Sequence, residues 1–167
     1  MSQWGRDTYG DPCRECGFSW NIATSDARAL AAGLPSRLED ILADACGTER
    51  HPALAWTVTS YVAHIGDNLR IWAERLAGIA LGGPTAVASY DENALASARV
   101  YEDIGLPGAL WTLRRSTRDW LKAVDLAAPD LEMTHPERGV IQLEDVIRTN
   151  VHDALHHEWD IKRSLTA

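Results

Sequence analysis

The amino-acid sequence predicts an all-α protein, a four-helix bundle preceded by an irregular N-terminal arm, and three observations lead there. Apolar residues recur at steps of three and four in four long stretches. Clusters of Gly and Pro, rather than alternating strands, separate those stretches. A chain of 167 residues, 46% of them hydrophobic and 24% charged, is long enough for one core and too short for two ordinary ones.

Residues 1–23 form the arm. Gly5, Gly10, Pro12 and Gly17 occur there without an apolar period, Trp4, Tyr9, Phe18 and Trp20 are positioned to pin it down, and Cys13 and Cys16 give it a CxxC motif. Residues 24–167 form the bundle domain. Its first helix opens at Thr24 or Ser25, both good N-caps, and carries Leu30, Leu34, Leu38, Ile41 and Leu42 to Gly47. Pro35 is expected to kink or restart that helix.

The second helix is expected over Ala53–Ala77, where Val58, Tyr61, Val62, Ile65, Leu69, Trp72 and Leu76 keep strict helical spacing. Gly82, Gly83 and Pro84 break the chain, and Ser89 to Glu92 reads as a capping box that opens a shorter helix toward Tyr101. Pro107 suits the first turn of a third long helix, whose stripe of Leu110, Leu113, Thr117, Trp120, Leu121 and Val124 runs to Ala127. Residues 129–142 hold Pro129, Pro136 and Gly139 and predict a long connection with a loose hairpin around His135 to Gly139. The last helix, Gln142–Leu165, carries Val146, Ile147, Val151, Ala154, Leu155 and Ile161.

Charge and cysteine usage narrow the function. A net charge of -8 and a pI near 5.1, with no Lys/Arg stripe, disfavour phosphate backbones, so no nucleic-acid partner is expected. No apolar run approaches the roughly 20 residues of a membrane span, and the first residues contain no apolar signal core. Three cysteines are too few for a secreted disulfide framework. A cytoplasmic protein acting on a small molecule is the expectation, with exposed helix faces through which a homodimer could form.

On the last helix, His152 and His156 stand four residues apart and can present two imidazoles to one ion from a rigid element. His64 borders the apolar stripe of the second helix and is the candidate third ligand. His157 points nearer the apolar side and reads as a core residue or a support to the ligands, partnered by Asp153 or Asp160. Asp160 can orient a ligand imidazole by accepting its N–H, whereas Asp67 reads as a surface carboxylate. Tyr61, Asn68, Arg75 and Trp159 are candidate pocket walls, and no residue stands out as a general acid or base.

The segments Ala63 to Leu69 and Asn150 to Ile161, with their placement on the second and last helices, resemble the DinB/YfiT-like superfamily. The resemblance spans residues 25 to 165 and implies a four-helix bundle that holds zinc, nickel or a similar divalent ion through His64, His152 and His156. The run His156-His157-Glu158-Trp159-Asp160 is also similar to mycothiol-dependent maleylpyruvate isomerases, in which a carboxylate takes the first ligand position of the last helix. Here that position is assigned to His152, which sets the specific isomerase activity aside. Bacillithiol transferases and metal hydrolases are further relatives. The resemblance thus implies a metal-dependent enzyme, either a transferase or isomerase using a low-molecular-weight thiol or a hydrolase, and its rival is a non-catalytic protein that binds or sequesters a metal or small molecule.

The arm departs from that pattern. Cys13 and Cys16 in a CxxCG form make half a zinc knuckle, with no second CxxC to complete it. Three readings stay open: the thiolates recruit His152 and His156 into a structural Cys2His2 zinc site, they form a redox pair, or they remain reduced. The first would leave no coordination position for a substrate.

Overall fold

The computed structural model describes residues 5–167, so Trp4 lies outside the described residues. Six helices and one hairpin follow in order: α1 (Arg6–Tyr9), α2 (Thr24–Ile41), α3 (Val58–Ala80), α4 (Glu92–Ala98), a 3-10 turn at Tyr101–Asp103, α5 (Leu106–Leu126), β1 (Glu132–His135), β2 (Gly139–Gln142) and α6 (Leu143–Leu165). The four long helices are those the apolar periodicity predicts. Their ends differ, for reasons that lie in capping and packing.

α2 starts with Ala23 at its N-cap and runs through Pro35 without interruption. The ring costs a backbone hydrogen bond, but Pro35 is itself buried between Leu34 and Leu38, and that apolar face holds the helix together. α3 begins at Val58, five residues later than the spacing predicts, because Thr57 caps it by accepting from the Ser60 N–H at 3.2 Å. The preceding segment is fixed by Val58 N–H to Glu49 O and Thr59 N–H to Gly47 O, both 2.9 Å. Gly47 has φ +87°, and a Cβ there would lie 2.2 Å from Thr59 Oγ1, so a glycine is required. α4 is capped by Asp91, whose carboxylate accepts from Asn93 and Ala94 N–H, in place of the expected box between Ser89 and Glu92.

α6 opens on a reciprocal capping box in which the Gln142 and Asp145 side chains each satisfy the other's backbone N–H. Glu144 and Asp145 sit in its first turn, Lys162 and Arg163 in its last, each complementing the helix dipole. The expected hairpin forms as an antiparallel pair with Met133 opposite Ile141 and His135 opposite Gly139. A parallel bridge from Thr134 to Ala86 ties the segment before α4 to it.

Each of α2 and α3 packs on both α5 and α6, so the order around the bundle is α2, α5, α3, α6. α3 and α5 come close at Gly66, where a Cβ would stand 3.5 Å from Leu113 Cα. Leu34, Leu38, Ile65, Leu69, Leu113, Trp120, Val146 and Ile161 are fully buried at the centre, each contributing about 1.5–3 kcal/mol of transfer free energy. Glu158 on α6 receives Arg37 of α2 through Nε (3.2 Å) and Nη2 (3.1 Å), which fixes those helices in register. No helix among the described residues is long and apolar enough to cross a membrane.

Candidate metal centre

α6 carries two overlapping pairs four residues apart, His152/His156 and Asp153/His157, and one step along a helix turns a side chain by about 100°. The second pair faces α3. There His64, Asp153 and His157 bring one donor atom each within 4.8 Å of one another. His64 Nε2 is 3.6 Å from Asp153 Oδ2, and His157 Nε2 is 3.6 Å from Asp153 Oδ1. Those separations are too long for good hydrogen bonds. They approach the roughly 3.4 Å expected between two ligands of one tetrahedral ion with bonds near 2.1 Å.

Two of the three donors are held from behind by hydrogen bonds. His157 Nδ1 lies 3.1 Å from Asp160 Oδ2, so that carboxylate accepts its N–H and leaves Nε2 facing the centre. Asn68 Nδ2 donates to Asp153 Oδ2 at 2.7 Å. Behind Asn68, Asn150 Nδ2 donates to its Oδ1 at 3.5 Å, and Trp120 Nε1 donates to Asn150 Oδ1 at 3.0 Å. A polar chain thus runs from the core to the Asp153 carboxylate. His64 is 4% exposed, packs against Trp56 with ring centroids 4.9 Å apart, and has a buried Nδ1 without a hydrogen-bond partner among the described residues. The turn that delays the start of α3 is what lays Trp56 there.

The electrostatics suit a cation. Burial pushes the His64 imidazole down, but the Asp153 carboxylate, with Glu92 and Asp67 behind it, outweighs this and raises it overall. Against burial, which raises it, His64 and His157 hold the Asp153 carboxyl well below the usual carboxylate range. This is the signature of a negative centre that favours positive charge.

The His152/His156 pair faces the arm instead. Cys13, Cys16, His152 and His156 bring their donor atoms within 4.8 Å of one another, and Cys13 Sγ is 3.7 Å from His156 Nδ1. Burial, followed by the neighbouring His156, lowers His152 to about 4, so it is neutral at physiological pH. Burial pushes the Cys16 thiol up to about 11, with the neighbouring Cys13 adding to it.

The expected trio His64, His152 and His156 is therefore divided between two groups. All three still line one pocket with Asp153 and His157, but the donor atoms gathered within 4.8 Å of that of His64 are those of Asp153 and His157. The available signal was the DxxxH pattern at 153–157 that overlaps HxxxH at 152–156. His157, expected as core or support, stands in the candidate donor group, and it meets both expected partners, Asp160 at 3.1 Å and Asp153 at 3.6 Å. Asp67, expected at the surface, is buried at 1% exposure and receives Tyr101 Oη at 2.7 Å and Arg99 Nε at 3.0 Å. Of the expected pocket walls, Asn68 and Arg75 line a cleft with Trp72, Tyr90 and Arg138 that opens beside His64 and Asp153, with a cavity volume of about 100 Å3. Tyr61 packs on the His157 ring at 5.1 Å between centroids, and Trp159 lies under the Arg163 guanidinium at 4.4 Å.

The protein is a four-helix bundle of the DinB/YfiT-like class. Its fold superposes on YfiT from Bacillus subtilis, described as a probable metal-dependent hydrolase with an unusual four-helix bundle topology, with a TM-score of 0.71 over 87% of this chain and 91% of that one at 19% identity. The chain belongs to the mycothiol maleylpyruvate isomerase N-terminal domain family, whose model matches residues 27–162. No curated protein matches it by sequence.

Proposed function

We propose that the protein is a metal-dependent enzyme that holds one divalent ion through His64, Asp153 and His157 and acts on a small molecule in the cleft beside them. The carrying observation is the convergence of two imidazoles and a carboxylate from two helices, with Asp160 and Asn68 orienting two of the three donors. Nitrogen and oxygen donors of this kind suit zinc, nickel and similar ions. Three protein ligands leave a coordination position open, as in catalytic rather than structural sites. When bound, the ion would supply Lewis acidity that turns water or a thiol into a nucleophile near neutral pH.

The chain's own part is positioning. Asp160 keeps His157 in the tautomer whose Nε2 faces inward, and Asn68 fixes the plane of the Asp153 carboxylate. Tyr90, Arg75 and Trp72 wall the cleft, with the Arg75 guanidinium over both rings, 4.6 Å from that of Trp72 and 5.7 Å from that of Tyr90. The family match extends the reading to thiol-dependent isomerases, since Asp153 supplies the carboxylate at the first ligand position of the last helix, and the YfiT likeness extends it to hydrolases. The proposal includes a cytoplasmic location, where low-molecular-weight thiols are available.

The test is turnover by metal-loaded protein with an electrophile in the presence of mycothiol or bacillithiol, and with ester or amide substrates in their absence, each compared with Asp153→Ala. Turnover that the variant loses supports the reading and identifies the reaction class. Tight metal binding by the wild type without turnover in either screen would overturn the enzyme reading in favour of sequestration.

A further inference from the structure

The proposed centre leaves the arm's cysteines and the other two histidines of α6 unexplained. Residues 13–18 fold as a tight knuckle: Cys13 N–H donates to Phe18 O at 2.8 Å and Gly17 N–H to Cys13 O at 3.0 Å. Gly17 closes it at φ +74°, a conformation in which an L side chain would be strained. The knuckle sets Cys13 and Cys16 side by side against the face of α6 that presents His152 and His156 one turn apart.

Four observations fit this group to a tetrahedral ion. The donor set is two thiols and two imidazoles, a structural zinc set. The 3.7 Å from Cys13 Sγ to His156 Nδ1 compares with about 3.6 Å for sulfur and nitrogen on one zinc at bonds near 2.3 and 2.1 Å. His152 is 3% exposed, and its Nε2 is buried with no hydrogen-bond partner among the described residues. On His156 the other ring nitrogen, Nε2, lies 3.1 Å from Glu15 Oε2, so the carboxylate accepts its proton and the Nδ1 lone pair is left toward Cys13. Glu15 stands between the two cysteines in sequence and serves the same purpose for His156 that Asp160 serves for His157.

We infer that Cys13, Cys16, His152 and His156 form a second, structural zinc site that fastens the N-terminal arm to α6. Four protein ligands fill a tetrahedral shell, so this ion takes no substrate. What it holds is the wall of the cleft: Tyr9 and Trp20 of the arm line the cleft and stack on His152 with ring centroids 4.6 and 4.5 Å away. The inference uses no residue of the proposed catalytic centre and stands or falls separately from it.

Cobalt(II) added to metal-free wild-type protein tests it without any variant. Intense thiolate-to-cobalt charge-transfer absorption is expected, and its absence overturns the inference. Zinc-loaded wild type should show one rapidly reacting thiol, the exposed Cys46; three rapid thiols with zinc present would overturn it. Elemental analysis should find one zinc fewer per chain in Cys16→Ser than in the wild type, with the thiolate absorption of cobalt kept in His64→Ala and lost in Cys16→Ser. Loss of that absorption in His64→Ala, with the helical circular dichroism intact, would count against a separate site.

Discussion

Two donor groups share α6 and differ by one residue in register. His64, Asp153 and His157 lie between α3 and α6 and comprise nitrogen and oxygen donors beside a cleft, whereas Cys13, Cys16, His152 and His156 lie between α6 and the arm and include two sulfurs. Each has an imidazole whose far nitrogen meets a carboxylate, Asp160 for one and Glu15 for the other. Three ligands beside a cleft leave room for chemistry; four ligands under a knuckle leave none. Residue spacing along one helix is thus compatible with either role, and what packs on each face decides between them.

The comparison can be broken most directly at His157. His157→Ala is expected to weaken metal binding between α3 and α6 by more than about 100-fold while the thiolate group keeps its ion; calorimetric titration with zinc, together with elemental analysis, reads both. Simultaneous loss of both ions in a folded variant would show one shared site rather than two. The next largest effect is expected at a residue outside both groups. Asp67→Asn removes the buried carboxylate that ties the partly exposed Arg99 and the buried Tyr101 to α3 and should cost about 1.5–3 kcal/mol of stability, measured by urea unfolding, with both ions retained.

Asp160→Asn sharpens the comparison further, because it leaves every ligand in place and loosens only the His157 ring. A drop of about 10–100-fold in metal affinity at the first group alone is expected, and unchanged affinity would show that the Asp160 contact carries no orienting role. The smallest effect is expected from Glu15→Gln. Its carboxylate is half exposed, and solvent screening limits it to a few-fold change, read as the rate at which a chelator removes zinc from the thiolate group.

Much of the fold was legible in the sequence because the apolar stripes of the long helices repeat without error, as from Val58 to Leu76 and from Val146 to Ile161. The hairpin was legible from its turn residues. The onset of α3 was not, because Trp56 leaves the helical pattern to cover His64, a tertiary demand that no local propensity records. For the candidate donor group, the two segments that supply it and the place of His64 on α3 were readable. The register on α6 was not, since HxxxH and DxxxH overlap and only the position of α3 decides which pair faces His64. Asp67 was misplaced because its partners, Arg99 and Tyr101, lie beyond a Gly-Gly-Pro break and no helical wheel includes them. The CxxC motif and the metal reading both drew on His152 and His156, whereas the candidate donor atoms fall into two groups that share no residue.

The chain of hydrogen bonds from Trp120 through Asn150 and Asn68 to Asp153 couples interior packing to ligand basicity. A change from Trp120 to Phe, the kind of swap made to probe a hydrophobic interior, would free the Asn150 oxygen, let both amides reorient, and alter how firmly the carboxylate is presented. Work on the thermal robustness of this bundle would therefore also tune its affinity for metal, and a library selected for one property would drift in the other.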